Sequence, residues 1–279
     1  MTAISNPTTT SAVGALRRTR SATSAPFLTQ VSMMMWRTLI TNIRVPAVIL
    51  PPLIISVFFL FVYEASLSGA ANFFLRGQSY LGFILPLSVV SAALSGAGVA
   101  GQSIVRDIEN GYFDKLMLTP VSRVAVVLGP MVAGAILLGV QTSLLIVIAL
   151  VMGLEPATGL PGILGVLGFS MLLGLAFSGF TIGVALRSGS AGATQGAGFL
   201  FFPLSFLTAT FVPLSLLTGW IKVAATYNPI TYILEAMRGI INTGWDTEIL
   251  LRGLGAIALM AVVLYAFAFS SLKARTKRK

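Results

Sequence analysis

Long uncharged stretches separated by short charged ones dominate the hydrophobic pattern of this chain. The stretches Gly77–Val105 and Val124–Leu154 contain no acidic or basic residue. A helix that crosses the hydrocarbon core of a bilayer needs about 20 consecutive, largely apolar residues. The pattern therefore predicts an all-α integral membrane protein with six transmembrane helices. The six predicted spans cover residues 45–63, 80–105, 124–152, 162–186, 191–212 and 253–272.

The residues before the first predicted span fall into two parts. Residues 1–25 are rich in Ser, Thr and Ala and lack the apolar core of a signal peptide, so a disordered cytoplasmic tail is predicted. In residues 26–44, apolar side chains recur at three- and four-residue steps, with Arg37 and Arg44 among them. This favours an amphipathic helix in the membrane interface, with Trp36 at headgroup level. A simple extension of the first span is the alternative.

The segment between the fifth and sixth predicted spans is apolar but interrupted. Two short apolar runs in residues 213–252 are separated by Asn228-Pro229. Apolar runs of about 10–14 residues are typical of re-entrant or interfacial helices, and proline suits a helix start. We therefore predict short re-entrant helices in residues 213–242, called the outer segment below.

Composition supports a membrane protein independently of the pattern. The chain is 56% hydrophobic and 9% charged, with a mean hydropathy of +0.93. Soluble domains average about 45–50% apolar residues and about 25% charged residues. It contains no Cys and no His. Disulfides, zinc sites built from those residues and Ser-His-Asp triads are therefore excluded, and no metal site is predicted.

The positive charge of the chain predicts its orientation. The net charge of +10 would suggest nucleic-acid binding in a soluble protein. In the six-span topology, however, all but four of the 18 Lys and Arg residues fall on one side, including those of a basic tail at 273–279. Because positive residues favour the cytoplasmic side, we predict a multi-pass protein of the bacterial plasma (inner) membrane with both termini cytoplasmic, and no nucleic-acid partner. The four exceptions are Arg76, Lys222, Arg238 and Arg252.

Residues 106–123, called the charged loop below, join the second and third predicted spans on the cytoplasmic side. Acidic residues precede Gly111, residues 112–118 are predicted to form a short amphipathic turn, and Thr119-Pro120 ends it, with Ser122 placed to cap the third span. Exposed apolar side chains at such a tip are costly unless a partner covers them. The loop is therefore predicted to bind a soluble partner; a tip that lies against lipid headgroups is the alternative.

The sequence does not contain a nucleotide site of its own. No G-x-x-x-x-G-K-[ST] phosphate loop is present, so ATP and Mg²⁺ would have to be bound by another chain. Gly96–Gly101 matches G-x-G-x-x-G but lies inside an apolar span, where small residues favour close helix packing. The span interiors lack the carboxylate that ion-coupled carriers often use. A stand-alone secondary carrier is thus less favoured, and we predict a transport subunit that is not an enzyme.

Two parts of the chain resemble type-2 ATP-binding-cassette (ABC) export permeases, most closely the drug-export branch similar to daunorubicin-resistance permeases. The charged loop departs from many relatives at residues 110–113, where they carry Arg or Lys followed by Thr-Leu-Glu. In the loop the matching residues are Glu109, Gly111, Phe113, Lys115, Leu116, Thr119, Pro120, Val121, Ser122 and Arg123. In residues 203–239 they are Phe211 to Pro213, Trp220, Asn228-Pro229, Thr231-Tyr232 and Arg238.

The resemblance implies a dimer of permease subunits, identical or paralogous, that binds two cytoplasmic ABC ATPase subunits and is surrounded by membrane lipids. ATP binding would drive export of an amphipathic drug or lipid-like molecule across the plasma membrane; a lipid-linked glycan is the alternative cargo. By the resemblance, the ATPase contact comprises Arg106, Asp107, Glu109, Gly111, Phe113, Asp114, Lys115, Leu116, Thr119, Pro120 and Arg123.

The resemblance also implies an outer gate and a pathway wall. The pair Glu235 and Arg238, three residues apart, is expected to form a local ion pair, with a gating role as the alternative. The outer gate comprises Phe211, Pro213, Trp220, Asn228, Pro229, Tyr232, Glu235 and Arg238. The pathway wall comprises Ser88, Ser91, Ser95, Phe199, Phe202 and Phe206.

Overall fold

The computed structural model describes residues 25–75, 79–96, 98–199, 201–208 and 213–277. In these ranges every regular element is helical, which confirms the all-α prediction. The predicted tail at 1–24 and residues 278–279 lie outside the described residues. The helices are α1 Phe27–Ile43, α2 Pro46–Leu75, α3 Tyr80–Gly96, α4 Gly98–Glu109, α5 Tyr112–Met117, α6 Arg123–Val151, α7 Gly159–Ser188, α8 Ala191–Phe199, α9 Phe201–Phe206, a 3-10 turn Leu214–Leu216, α10 Gly219–Tyr227, α11 Pro229–Asn242 and α12 Thr247–Lys277.

Five helical stretches of the described part are long and apolar enough to cross a membrane. They correspond to the first four predicted spans and the sixth. The predicted fifth span falls on α8, α9 and positions beyond the described ranges, so it stays a prediction. The five stretches are Ile49–Gly69, Tyr80–Glu109, Arg123–Val151, Gly159–Ser188 and Thr247–Lys277.

Two helices continue beyond the predicted spans. The first span is predicted over residues 45–63, and α2 continues to Leu75, since one carboxylate at Glu64 does not break a helix. The predicted basic tail at 273–279 is helical as far as Lys277, because α12 continues into it.

The spans differ in how deeply they lie in the bundle. In the most apolar part of Tyr80–Glu109, 94% of residues are buried, against 11% in Ile49–Gly69 and 17% in Thr247–Lys277. The α3 and α4 stretch is therefore the centre of the bundle. Most of the surface of α2 and α12 is left to lipid or to another chain.

The two larger of the three hydrophobic cores in the described residues lie toward opposite ends of the bundle. The larger core joins α3, α6, α7, α11 and α12 and includes Ile84, Leu145 and Ile233. The smaller one, called the loop-end core, lies beside the charged loop. It consists of Ala100, Ile104, Val105, Phe113, Leu116, Val126, Val127, Met131, Ile182, Ala185, Leu186 and Leu272.

The helix predicted over 26–44 is present as α1, with its polar side facing the bundle, and its interfacial position stays a prediction. Gln30, Thr38 and Asn42 are buried against the bundle, whereas Leu28 and Trp36 are 78% and 61% exposed. An apolar outer face suits a helix that lies in the membrane interface. The polar inner face has partners in the charged loop, described next.

Candidate coupling site

The charged loop folds as a short helix between two turns. α4 ends at Glu109, and Gly111 adopts a left-handed conformation with φ of 65°, which a side chain would strain. α5 follows, and the Thr119 hydroxyl donates to the carbonyl oxygen of Leu116 at 2.7 Å. The chain then enters α6 at Arg123. The amphipathic turn predicted at this place is thus a six-residue helix.

The apolar side chains of the loop point in opposite directions. Phe113 and Leu116 are 2% and 5% exposed and belong to the loop-end core, so the expectation that the aromatic tip is exposed is wrong for these two. A short helix needs a packed apolar face to be stable, and residues three apart share one face. Leu118, in contrast, is 88% exposed. The exposed residues of the loop are Glu109, Asn110, Tyr112, Asp114, Lys115, Leu118, Thr119, Pro120 and Arg123.

The first half of the loop is bound to α1 by charge. Arg37 Nη2 forms an ion pair with Asp107 Oδ1, and the Arg37 guanidinium lies 4.4 Å from the centroid of the Tyr112 ring. Arg106 Nη2 donates to Asn42 Oδ1 at 2.7 Å. Arg106 and Asp107 therefore face α1, which the sequence did not predict.

The second half of the loop is also bound to α1. The Gln30 side chain accepts a hydrogen bond from the backbone N–H of Ser122 at 2.7 Å and donates one to the carbonyl oxygen of Ala25. Ser122 occupies the N-cap position of α6 as predicted, but its hydroxyl makes no capping bond. α1 thus holds the loop at both of its ends.

We predict that the ion pair between Arg37 and Asp107 stabilises this arrangement measurably. A double-mutant cycle with Arg37→Ala and Asp107→Ala is expected to give a coupling free energy of about 1 kcal/mol, since the pair is partly shielded from water. The measurement is unfolding of the detergent-solubilised protein. Arg44→Ala removes the same charge beside the end of α1, where the residue is exposed, and should have little effect. Additive losses in the two single variants would contradict the prediction.

At the opposite end of the bundle, Arg238 of α11 is buried against α3. It is 7% exposed, its Nε donates to the carbonyl oxygen of Phe83 at 2.8 Å, and its guanidinium carbon lies 3.6 Å from the centroid of the Phe83 ring. Burial lowers the pKa of Arg238 to about 9, and Glu235 opposes that shift, so the group stays charged at neutral pH. Burial raises the pKa of Glu235. The sequence predicts Glu235 as a neighbour of Arg238 but gives no signal for Phe83.

Asn228 joins two of the helices in the outer part. Its Nδ2 donates to the carbonyl oxygens of Leu204 and Leu207 at 2.7 and 2.9 Å, and its Oδ1 accepts from the N–H of Ile230. It therefore caps α11, with Pro229 at the first helical position as predicted.

The other predicted gate residues make contacts of their own. Trp220 is 73% exposed on α10, and the Tyr232 hydroxyl donates to the carbonyl oxygen of Thr226 at 2.8 Å. Pro213 precedes the 3-10 turn. Phe211 lies outside the described residues. The gating role of this set stays a prediction.

The predicted pathway wall is only partly described. Ser88 and Ser91 are 0% and 7% exposed, so in this conformation they line no open surface of the chain. Phe206 is half-buried. The side chains of Ser95, Phe199 and Phe202 lie outside what the structure describes.

The family of the chain follows from a comparison with known families. Residues 29–242, which include α1, the charged loop and the outer segment, match the family model described as ABC-2 type transporter. The chain belongs to the ABC-2 type transporter family. It is therefore a membrane protein and a transport subunit without the nucleotide-binding domain, and the family implies association with ABC ATPase subunits.

Individual relatives agree with this membership. The chain is 26% identical over 192 residues to "Probable doxorubicin resistance ABC transporter permease protein DrrC" of Mycobacterium tuberculosis, covering 69% of each protein. It is 24% identical over 210 residues to a protein of Porphyra purpurea named as a transport permease, ycf38, covering 73% of this chain and 71% of that one.

Proposed function

We propose that this ABC-2 family chain is the membrane subunit of an ATP-driven exporter for an amphipathic small molecule, a drug or a lipid-like compound. The observation that carries the proposal is the charged loop. Its polar and apolar residues are exposed on one side of α5, while Phe113 and Leu116 anchor the other side in the loop-end core. Such a helix can receive a displacement and pass it into the bundle. The drug-resistance relative supports the class of cargo.

The ATPase subunit binds ATP and Mg²⁺ and docks on the exposed side of the loop. Asp114, Lys115 and Leu118 offer a negative, a positive and an apolar group there. When the ATPase pair closes, α5 moves with it, and the contacts of Arg37 and Gln30 make α1 move too. The helices then repack as rigid bodies.

A second permease subunit, identical or paralogous, completes the pathway in this proposal. The apolar side chains Ile54, Phe58 and Phe61 of α2 are 62%, 59% and 47% exposed, which is compatible with an interface inside the bilayer. The excess of positive charge at the loop end of the bundle supports a cytoplasmic position for the loop and for both termini.

We predict that reversing the charge or polarity of the exposed loop disrupts ATPase binding. Asp114→Lys and Leu118→Glu should each reduce the amount of co-purified ATPase and ATP-driven doxorubicin uptake into inverted membrane vesicles by about tenfold or more, since a charge is mismatched or an apolar contact is lost at an interface. Neither substitution should unfold the chain, because both side chains are exposed.

The control carries the same kind of change in the outer segment. Leu216 is 55% exposed there, and Leu216→Glu should leave ATPase binding unaltered. Undiminished ATPase binding by the loop variants would refute the proposed docking surface. Uptake driven by an ion gradient in vesicles without the ATPase would instead favour the stand-alone carrier.

A further inference from the structure

Arg275 contacts two other helices from the last turns of α12. Its Nη1 donates a hydrogen bond to the carbonyl oxygen of Leu186 in α7 at 3.0 Å. Its guanidinium carbon lies 5.7 Å from the centroid of the Phe113 ring in α5, which is within the range of cation–π attraction. The half-buried side chain therefore joins α12, α7 and α5.

The end of α7 explains the hydrogen bond. α7 stops at Ser188, and Gly189 follows in a left-handed conformation, with its N–H bonded to the carbonyl of Ala185 at 2.8 Å. The last four carbonyls of a helix lack partners within the helix and carry partial negative charge. Leu186 supplies one of these carbonyls, so a guanidinium is a favourable donor for it. The end of α7 is thus a fixed support for Arg275.

Phe113 is one of the packed side chains on which the orientation of α5 depends. A helix of six residues is too short to hold its conformation without tertiary packing. The Phe113 ring lies in the loop-end core together with Leu186 and Leu272, and Leu272 precedes Arg275 by about one helical turn. The helix that exposes the docking residues is therefore held where α7 and α12 converge.

The opposite end of α12 packs against the outer segment. A Cβ atom at Gly253 would lie 2.6 Å from Ala236 Cβ and 3.2 Å from the carbonyl oxygen of Tyr232, so α11 approaches the backbone of α12 closely. α12 has 31 residues, which corresponds to a length of about 46 Å. One continuous helix thus contacts α5 at one end and α11 at the other.

We propose that Arg275 is a positioning residue for ATP-coupled transport. It fixes α5 on the end of α7 and links α5 to α12, so that a displacement of α5 reaches α11 through α12. The proposal rests on the proposed function, since the displacement is assigned to a docked ATPase. Loss of Arg275 should therefore lower the amount of substrate moved for each ATP hydrolysed.

The test compares Arg275→Ala, Arg275→Lys and Lys273→Ala in the full chain, reconstituted with its ATPase in proteoliposomes. Lys273 lies on the same turn and is exposed, so Lys273→Ala removes an equal charge. Arg275→Ala should keep ATPase binding and ATP turnover within about twofold and lower doxorubicin transport per ATP about tenfold, the scale of one lost charge-assisted contact. Arg275→Lys should restore part of the transport per ATP, because the lysine can donate a hydrogen bond to the carbonyl oxygen of Leu186. Equal transport per ATP in Arg275→Ala and Lys273→Ala overturns the proposal.

A second measurement requires no ATPase. The chain contains no Cys, so spin labels can be placed on Leu118→Cys and Ala274→Cys, both at exposed positions. The distance distribution between α5 and α12 should become at least about twofold broader with Arg275→Ala, since α5 loses a tertiary contact on which its orientation depends. A distant pair, Leu164→Cys and Leu251→Cys, should keep its width.

The outcomes of the spin-label measurement separate the two proposals. An unchanged width for the first pair, or equal broadening of both pairs, overturns the positioning role, the second because it indicates general loss of structure. Broadening confined to the first pair would support the contact between Arg275 and α5. If the wild-type chain in addition binds no ATPase, the proposed function is refuted while that contact is not.

Discussion

Gly129→Ala is expected to detach α1 from α6 and to abolish ATP-driven transport. A Cβ atom at Gly129 would collide with Met34 Cβ and would lie 2.9 Å from the backbone nitrogen of Met35. The end of a flexible side chain could rotate away, but the backbone of α1 moves only if the whole helix moves. Overpacking of this kind costs about 1–3 kcal/mol.

The functional loss should exceed the loss of stability. α1 carries Gln30, Arg37 and Asn42, which hold the charged loop. Displacement of α1 removes all three contacts together, so the charged loop loses its attachment to α1 although none of its own residues has changed. No substitution of a single one of these three side chains should have an effect as large.

The measurement is thermal unfolding in detergent together with ATP-driven uptake in vesicles. Gly168→Ala is the matched control, since Gly168 is also a helical glycine and a Cβ atom there would meet nothing within 4 Å. The control should have wild-type transport and slightly higher stability, because alanine is the better helix former. Equal behaviour of the two variants would contradict the close approach of α1.

Arg238→Ala is expected to destabilise the opposite end of the bundle by about 2–4 kcal/mol. The substitution removes the hydrogen bond of Arg238 to the Phe83 carbonyl oxygen, removes the guanidinium from the Phe83 ring and creates a cavity between α11 and α3. Because α11 carries residues of the predicted gate, we also expect substrate leakage in vesicles without ATP.

Arg252→Ala is the control for Arg238→Ala. Arg252 forms an ion pair with Glu248 one turn away on α12, and both side chains are more than half exposed. Exposed pairs of this kind contribute about 0–1 kcal/mol, so unfolding should shift little. A loss of stability in Arg238→Ala no greater than in Arg252→Ala would show that the buried contact with Phe83 contributes little to the free energy of unfolding.

At the charged loop, some features of the candidate site could be predicted from the sequence and others could not. The loop and its turn at Gly111 could be predicted from local spacing, and its family from the resemblance of its motif. The partners of Arg106 and Asp107 could not, because they lie on α1, and Arg37 and Asp107 are 70 positions apart in sequence. Phe113 was expected to be exposed because it lies in a cytoplasmic loop between two predicted spans. The loop-end core encloses it instead.

The orientation of α1 could likewise not be predicted from the sequence. Its periodicity predicted an amphipathic helix, and α1 is one. The side of α1 that faces the bundle is determined by the groups on the bundle surface. These are the Arg106 guanidinium, the Asp107 carboxylate and the Ser122 N–H, which are all polar. Gln30, Arg37 and the Oδ1 atom of Asn42 therefore find polar partners inside, and Trp36 points away.

The sequence by itself predicted the long apolar helices, the break at Asn228-Pro229 and, through the resemblance of two motifs, the family. The helices follow from local composition, since about 20 apolar residues are needed to span a bilayer whatever surrounds them. Tertiary structure alone decided which face of each helix is buried, that Gly129 receives the backbone of α1, and that Arg238 binds a carbonyl 155 positions away. The physical reason is that lipid tails are as apolar as a protein core, so hydropathy identifies a span without identifying its partners.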